Sequence, residues 1–261
     1  MSKKKGIILL AVLFALSVMV SGCTKKEDPP PTPSEANKIV KLSVGTNAGF
    51  APFEFYDGEQ LAGFDMDLIR AIGEVMGVEV TITHMDFDAL VLSLQNDIID
   101  CAIAGMTIDP AKEADFSAPY FDAGLIIAVK KGSPITSTED LKGKNLAAQL
   151  GTTGANYCEQ VKAADSTTTV KTFKEVSELF MELNRGSVDA VVNDQAVTIN
   201  YIDESGTTDI VTVGETFSTE EQYGIAVKKG NTELLNQINQ ALETLKANGE
   251  FQEIYDKWFA K

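Results

Sequence analysis

Apolar residues between residues 39 and 129 switch repeatedly between a strand-like and a helix-like spacing. Alternating apolar positions predict a strand over 39–46. Apolar residues at helical spacing over 64–76 predict a helix that ends at Gly77. A β-branched strand over 78–83, a helix face over 87–94 and a buried strand over 98–104 follow. This order predicts a parallel α/β layout.

The second half of the chain continues the alternation. Four further strands are predicted, over 125–129, 145–149, 188–192 and 224–227. The helices predicted between and after them open at 151–154 or have their apolar faces over 176–183, 234–245 and 251–259. The whole segment 39–261 is therefore expected to be α/β.

Two internal repeats divide this segment. The hexapeptide Ile-Ala-Val-Lys-Lys-Gly occurs at 127–132 and again at 225–230. The segments 94–105 and 183–194 also share a pattern, a helix end and a short turn followed by a buried strand that begins near an Asp. We therefore expect two similar lobes joined by two hinge crossings, near Val129 and Val227. Residues 39–128 with 227–261 form lobe 1, and 129–226 form lobe 2.

The N-terminal segment predicts export. Three lysines precede an almost wholly apolar stretch, which identifies 1–22 as a signal peptide rather than a membrane span. The next residue, Cys23, completes a sequence that resembles a bacterial lipobox. In that motif the Cys is acylated, with chains such as palmitate, and becomes the new N-terminus. The alternative is a plain signal peptide with a chance Cys. Residues 23–38 contain Pro-Pro-Pro-Thr-Pro and predict a semi-rigid, lipid-anchored tether.

The charge limits the possible partners. Of the 22 basic residues three lie in 1–22, which has no acidic residue, so the remainder carries 19 basic against 38 acidic residues, a net charge of −19. Such a surface disfavours nucleic acid and anionic lipid. We expect contact with the membrane only through the lipid anchor, and we expect a monomer.

Cysteine and histidine usage gives no metal site. Cys101 and Cys158 are expected as buried free thiols in different lobes, and their spacing does not fit a zinc site. The single histidine, His84, is expected to be a surface or structural residue. No motif of a hydrolase, zinc protease or phosphate-binding loop occurs. The sequence therefore predicts neither a cofactor nor a metal, and it does not favour an enzyme.

Several loops are expected to meet beyond the carboxyl ends of the strands, where open α/β sheets bind ligands. Gly105 permits close backbone approach and Thr107 offers a hydroxyl. The helix start at 151–154 suits a carboxylate, or is ordinary turn and N-cap chemistry. Asp194 could receive an ammonium group, or could cap a helix over 195–203. Phe50 and Phe87 could stack on a ligand, although a core role is also open for Phe87.

Longer motifs resemble one protein family. They are the segments 44–55, 63–68, 85–90, 104–107, 115–120, 150–154 and 189–194. In this order they are similar to the extracellular solute-binding proteins, family 3, which serve ABC importers for polar amino acids. The resemblance implies the type II periplasmic-binding clamshell. It also implies capture of a free polar or cationic amino acid outside the membrane and its delivery to an ABC permease.

The resemblance implies a role for each site residue. Asn47 and Phe50 would meet the ligand side chain, and Phe87 would line the pocket. Gly105 and Thr107 would bind the ligand backbone. From lobe 2, Thr152 and Thr153 would bind the α-carboxylate, and Asp194 would bind the α-ammonium.

One position departs from the family pattern. The family has an Arg five residues after the position of Thr107, where this chain has Lys112, and the interval to Asp115 is two residues short. A Lys supplies a positive charge but not the planar, bidentate hydrogen-bonding geometry of Arg. This departure motivates one alternative to capture, a clamshell that senses a ligand or binds it poorly. The resemblance leaves open a second alternative, a dehydratase on the same fold.

Overall fold

The computed structural model describes residues 40–260, so the predicted signal peptide, tether and Cys23 lie outside the described residues. The strands are β1 (Lys41–Thr46), β2 (Phe55–Asp57), β3 (Gln60–Ala62), β4 (Glu79–His84), β5 (Cys101–Ala102), β6 (Ala114–Phe116), β7 (Phe121–Asp122), β8 (Leu125–Lys130), β9 (Asn145–Gln149), β10 (Thr169–Phe173), β11 (Ala190–Asp194), β12 (Ile210–Phe217), β13 (Gln222–Tyr223) and β14 (Ala226–Lys228). The helices are α1 (Phe64–Met76), α2 (Leu90–Gln95), α3 (Thr153–Ala164), α4 (Val176–Arg185), α5 (Gln195–Ser205), α6 (Thr232–Asn248) and α7 (Glu250–Phe259).

Two five-stranded sheets define two lobes. The first has the order β4-β1-β5-β14-β6 and the second the order β10-β9-β11-β8-β12. In each sheet the first three strands are parallel and the fourth is antiparallel to the third. The predicted two-lobed α/β fold is therefore confirmed.

The repeats predicted from sequence occupy matching places. The two hexapeptide copies contribute β8 and β14, each the fourth strand of its sheet. The other repeat contributes β5 and β11, each the third strand. The partner pairs Val227 with Cys101 and Val129 with Ala190 show that each fourth strand lies against its own third strand in the same antiparallel sense.

The crossings between the sheets form a small ribbon. The strands β7 and β13 pair antiparallel, with Phe121 opposite Tyr223 and Asp122 opposite Gln222. The sequence prediction assigned residues 125–128 to the first lobe. However, β8 pairs along its length with β11 and β12 of the second sheet. We therefore place the first crossing at 121–124, while the division into domains stays a prediction.

Helices cover both sheets and bury two cysteines. Helix α1 packs on β4, α6 and α7, whereas α3 and α4 pack on the second sheet. Cys101 and Cys158 are free and buried, and burial raises the pKa of the Cys158 thiol to about 12. Within residues 40–260 no helix is both long and apolar enough to cross a bilayer, and His, Cys, Asp and Glu side chains form no cluster suited to a metal ion.

Candidate functional site

The candidate site lies where strands of both sheets end. Gly105 follows β5 of the first sheet, and Gln149 and Asp194 are the last residues of β9 and β11 of the second. Parallel strands direct their carboxyl ends to the same edge, which is why residues distant in sequence meet there. A small cavity between the lobes is lined by Phe50, Phe87, Gly105, Thr107, Lys112, Gln149, Thr152, Thr153 and Asp194.

The cavity is narrow. It offers about 10 Å³ to the centre of a water-sized sphere, which is room for about one water molecule. Of the predicted site residues all but Asn47 line it. Asn47 is 2% exposed and lies behind the wall, where its Nδ2 donates to the Met85 carbonyl at 3.0 Å and its Oδ1 accepts from Gln149 Nε2 at 2.8 Å. Asn47 thus holds Gln149 across the two lobes.

Asp194 presents a buried carboxyl group to the cavity. It occupies the N-cap position of α5 but makes no side-chain cap hydrogen bond. Instead, the Tyr223 hydroxyl donates to its Oδ1. Burial raises the pKa of Asp194 to about 7, and the negative charge of Glu221 adds to this, whereas the Tyr223 bond and the charge of Lys112 oppose it. The Asp194 side chain thus lines the cavity without capping α5, and its contact with an ammonium group stays a prediction.

Two hydroxyl groups from opposite lobes converge on one carboxylate. Thr107 Oγ1 donates to Glu221 Oε2 at 3.0 Å, and Thr153 Oγ1 donates to the same oxygen at 2.8 Å. Thr152, by contrast, is committed to its own helix. Its Oγ1 accepts from the Ala155 amide at 3.2 Å and donates to the Gln149 carbonyl at 2.7 Å. The hydroxyl of Thr153 is therefore better placed than that of Thr152 to bind a carboxylate.

Lys112 reaches the site despite the shortened loop. Its ammonium nitrogen lies 5.4 Å from the centre of the Phe87 ring, within range of a cation–π contact. Burial lowers the pKa of Lys112, and the charges of Asp109, Glu221 and Asp194 oppose that shift. A cationic group thus lines the cavity at the position where the family pattern has Arg.

A buried carboxyl group supports the Gly105 loop. Gly105 has a φ of +51°, and a Cβ there would lie 2.7 Å from Phe50 Cε1, so glycine is required on both counts. Asp65 Oδ2 accepts from the Gly105 amide and from the Tyr120 hydroxyl, both at 2.9 Å. Burial raises the pKa of Asp65 to about 6, and burial together with the charge of Asp65 raises the pKa of Glu54 well above its ordinary value.

Sequence reasoning missed several residues of the site. Gln149 ends a correctly predicted strand, so its position at the sheet edge was a usable signal. Tyr223 and Asp65 are buried polar partners of predicted site residues. Glu221 precedes the second hexapeptide by only a few residues, but nothing in its local pattern marks it.

Two α/β lobes with a cavity between them define the architecture of a two-lobed binding protein. Residues 42–261 match the bacterial extracellular solute-binding proteins, family 3, and the chain belongs to that family. The prediction of the family is thereby confirmed.

Named relatives span nearly the full chain. The chain is 34% identical over 267 residues to the probable histidine-binding protein of Neisseria gonorrhoeae, covering 100% of this chain and 97% of the relative. It is 30% identical to the arginine-binding extracellular protein ArtP of Bacillus subtilis (strain 168), with 97% of each chain covered. A solved structure of an ancestral arginine-binding protein bound to arginine is 48% identical, with a TM-score of 0.82, covering 85% of this chain and 100% of that one.

Proposed function

We propose that the protein captures a free polar amino acid outside the cytoplasmic membrane and delivers it to an ABC permease. One observation carries the proposal. The carboxyl group of Asp194 from one lobe and the ammonium group of Lys112 from the other line the same cavity. Opposite charges on opposing walls complement the ammonium and carboxylate of a zwitterion.

We propose further that the amino acid is cationic. The charges of the two ionisable groups that line the cavity, Asp194 and Lys112, cancel when both are ionised, so the preference for a cation rests on the aromatic residues and the relatives. The rings of Phe50 and Phe87 also line the cavity, and aromatic faces attract cations. The relatives named for arginine and histidine support this class.

A thermal-shift screen of the twenty amino acids tests the proposal. With a Kd of about 1 μM, a ligand at 1 mM stabilises the folded state by about 4 kcal/mol, which raises Tm by roughly 8–16 °C for a protein of this size. Arginine, lysine or histidine should give the largest shifts, and Asp194→Asn should abolish them. A wild-type protein that none of the twenty amino acids stabilises would contradict the proposal.

Lys112 leaves one alternative open, a clamshell that senses a ligand or binds it weakly. A Lys cannot grip a carboxylate with two parallel hydrogen bonds as Arg can. Inserting Glu-Arg before Ala111 restores the length and charge of the family pattern. If Lys112 limits affinity, the insertion should lower the Kd by about tenfold, the value of one additional charged hydrogen bond. An unchanged Kd would show that Lys112 is adequate.

That the protein is not an enzyme stays a prediction. A dehydratase requires a general acid or base directed at its substrate, and Asp194 is the candidate because its carboxyl faces the cavity. Turnover of cyclic precursors of aromatic amino acids, absent in Asp194→Asn, would favour the enzyme over the transporter component.

We also propose that Cys23 carries the lipid anchor. The support is the lipobox-like sequence and the Pro-rich stretch that follows it. In cells fed a labelled fatty acid, the wild-type protein should incorporate the label and sediment with membranes. The variant Cys23→Ala should neither incorporate the label nor sediment with membranes. If wild type and Cys23→Ala were equally soluble, the lipid anchor would be refuted.

A further inference from the structure

Glu221 connects the two lobes through a pair of hydroxyl groups. Thr107 follows β5 of the first sheet, and Thr153 begins α3 on the second sheet. Both donate to the same oxygen, Glu221 Oε2, at 3.0 and 2.8 Å. One carboxylate therefore spans the cleft.

The backbone holds this carboxylate in place. Glu221 lies between β12 and β13, in the second crossing, and its amide donates to the Ser218 carbonyl at 3.1 Å. Its carbonyl accepts from the Ala123 amide of the first crossing at 2.8 Å. The side chain is half-buried, so it is close to solvent and can leave the cleft without unfolding the crossing.

Both hydroxyls are committed as long as Glu221 stays. A threonine hydroxyl carries one hydrogen, and here each hydrogen is directed at Glu221. The adjoining cavity has room for about one water molecule. A ligand carboxylate can bind Thr107 and Thr153 only after the Glu221 carboxylate has moved away.

We propose that Glu221 is an intramolecular competitor of the ligand carboxylate, and that it bridges the two lobes until an amino acid displaces it. This inference rests on the proposed function, and it identifies Glu221 as a residue that sets affinity and demands a free α-carboxylate in the ligand. An amino acid carboxylate replaces one bridging carboxylate by another, so closure is preserved when the ligand enters.

The expected effect follows from population arithmetic. If the Glu221 bridge is formed in about nine of ten ligand-free molecules, the apparent Kd is about tenfold weaker than the Kd of molecules without the bridge. Glu221→Ala removes the competitor and should tighten binding by that factor.

The experiment measures the Kd of L-arginine by calorimetry for wild type, Glu221→Ala and Glu220→Ala. Glu220 is the adjacent residue with the same charge, and it is exposed, so its variant controls for the loss of one negative charge. We expect about tenfold tighter binding in Glu221→Ala and an unchanged Kd in Glu220→Ala. Equal or weaker binding in Glu221→Ala overturns the inference, and weaker binding would show that Glu221 contacts the ligand itself.

Small-angle scattering of the ligand-free proteins gives a second readout that does not depend on a ligand. Without its bridge, Glu221→Ala should have a larger radius of gyration than wild type and Glu220→Ala. If neither wild type nor Glu221→Ala binds L-arginine, arginine is not the ligand and scattering decides on the bridge. A larger radius then supports the bridge, and an unchanged radius overturns it.

Discussion

Asp194 is the residue whose chemistry determines how the site responds to pH. Its carboxyl group is buried between Tyr223 and the cavity, and its pKa is raised to about 7. A carboxyl group binds an ammonium ion well only when it is ionised. About half of the Asp194 carboxyl groups are therefore ionised near neutral pH in the ligand-free protein, and a bound ammonium group would favour the ionised form.

Affinity for arginine should fall as the pH is lowered. Arginine keeps its charges between pH 8 and pH 6, whereas Asp194 takes up a proton over this range. The apparent Kd should weaken by about tenfold from pH 8 to pH 6, since each unit below the pKa costs a factor of ten in the ionised fraction. Calorimetry at pH 6, 7 and 8 measures the effect. A Kd independent of pH would place the ammonium group elsewhere, and Asp194→Asn should bind weakly at every pH.

Asp97 is a second residue with a measurable consequence. It has a φ of +56°, in the left-handed region, which residues with a side chain adopt less readily than glycine. Its counterpart in the other repeat is Gly186, with a φ of +73°. Asp97→Gly should raise the free energy of unfolding by about 0.5 kcal/mol, because relief of backbone strain outweighs a lost exposed ion pair with Lys228. Urea denaturation measures the change.

The matched variant tests the same backbone position in the other lobe. Gly186→Asp should destabilise the protein by about 1 kcal/mol, and Lys228→Ala isolates the contribution of the ion pair. If Asp97→Gly lowers the free energy of unfolding more than Lys228→Ala does, the strain at Asp97 is smaller than the geometry indicates.

Among the elements, helix α3 is preceded by a threonine whose side chain stabilises the helix rather than binding a ligand. Thr152 caps α3 through the Ala155 amide. Thr152→Ala should lower the free energy of unfolding by about 1 kcal/mol, the value of an N-cap hydrogen bond. Thr152→Ser retains the oxygen and should restore the stability in the same denaturation assay. A Thr152→Ala protein as stable as wild type would show that the cap contributes nothing.

The acidic groups contributed by several elements predict how stability depends on pH. The pKa values of Asp65 and Asp194 are raised to about 6 and about 7. A raised carboxyl pKa stabilises the fold below the unfolded value, and this contribution is lost as the pH rises through the folded value. The free energy of unfolding of the ligand-free protein should thus fall from pH 5 to pH 8, on the order of 3 kcal/mol.

Denaturation at pH 5, 6, 7 and 8 measures this slope. The carboxyl groups with lowered pKa, such as Glu182 and Asp165, titrate below this window and do not contribute to it. The variant Asp194→Asn should reduce the slope. A stability that rises from pH 5 to pH 8 would contradict the raised pKa values.

Elements with strong periodicity could be predicted from the sequence, whereas both edge strands of the second sheet could not. Strand β9 has the predicted bounds, and α1 ends at Gly77 as predicted. The strands β10 and β12 were missed because they lie at the edges of the second sheet and have no continuous apolar run. The predicted strand 98–104 shortens to β5.

The site could be predicted only where it follows strand ends. Asp194 ends a buried strand, and Gly105 and Thr107 follow another within a few residues, so their convergence follows from the topology. Glu221 lies 114 residues from Thr107 and 68 from Thr153. No local pattern encodes such a contact, because it depends on how the two crossings place a turn over the cleft.

At the scale of the whole molecule the two lobes repeat one design. Each sheet has three parallel strands followed by an antiparallel fourth strand that carries the hexapeptide. The loops that bind ligand in such folds then come from the same places in both lobes, which explains why the cavity receives residues from β5 on one side and β9 and β11 on the other.

The ribbon of β7 and β13 means that the second sheet is an insertion in the chain whose two ends lie side by side. Asp122 and Gln222 are paired neighbours, so a two-residue Asn-Gly turn could join them as a hairpin. Replacing residues 123–221 by Asn-Gly should yield a miniature protein with the first sheet intact and no affinity for amino acids. Circular dichroism and a cooperative melting curve would test it. An unfolded product would show that the first sheet does not fold without residues 123–221.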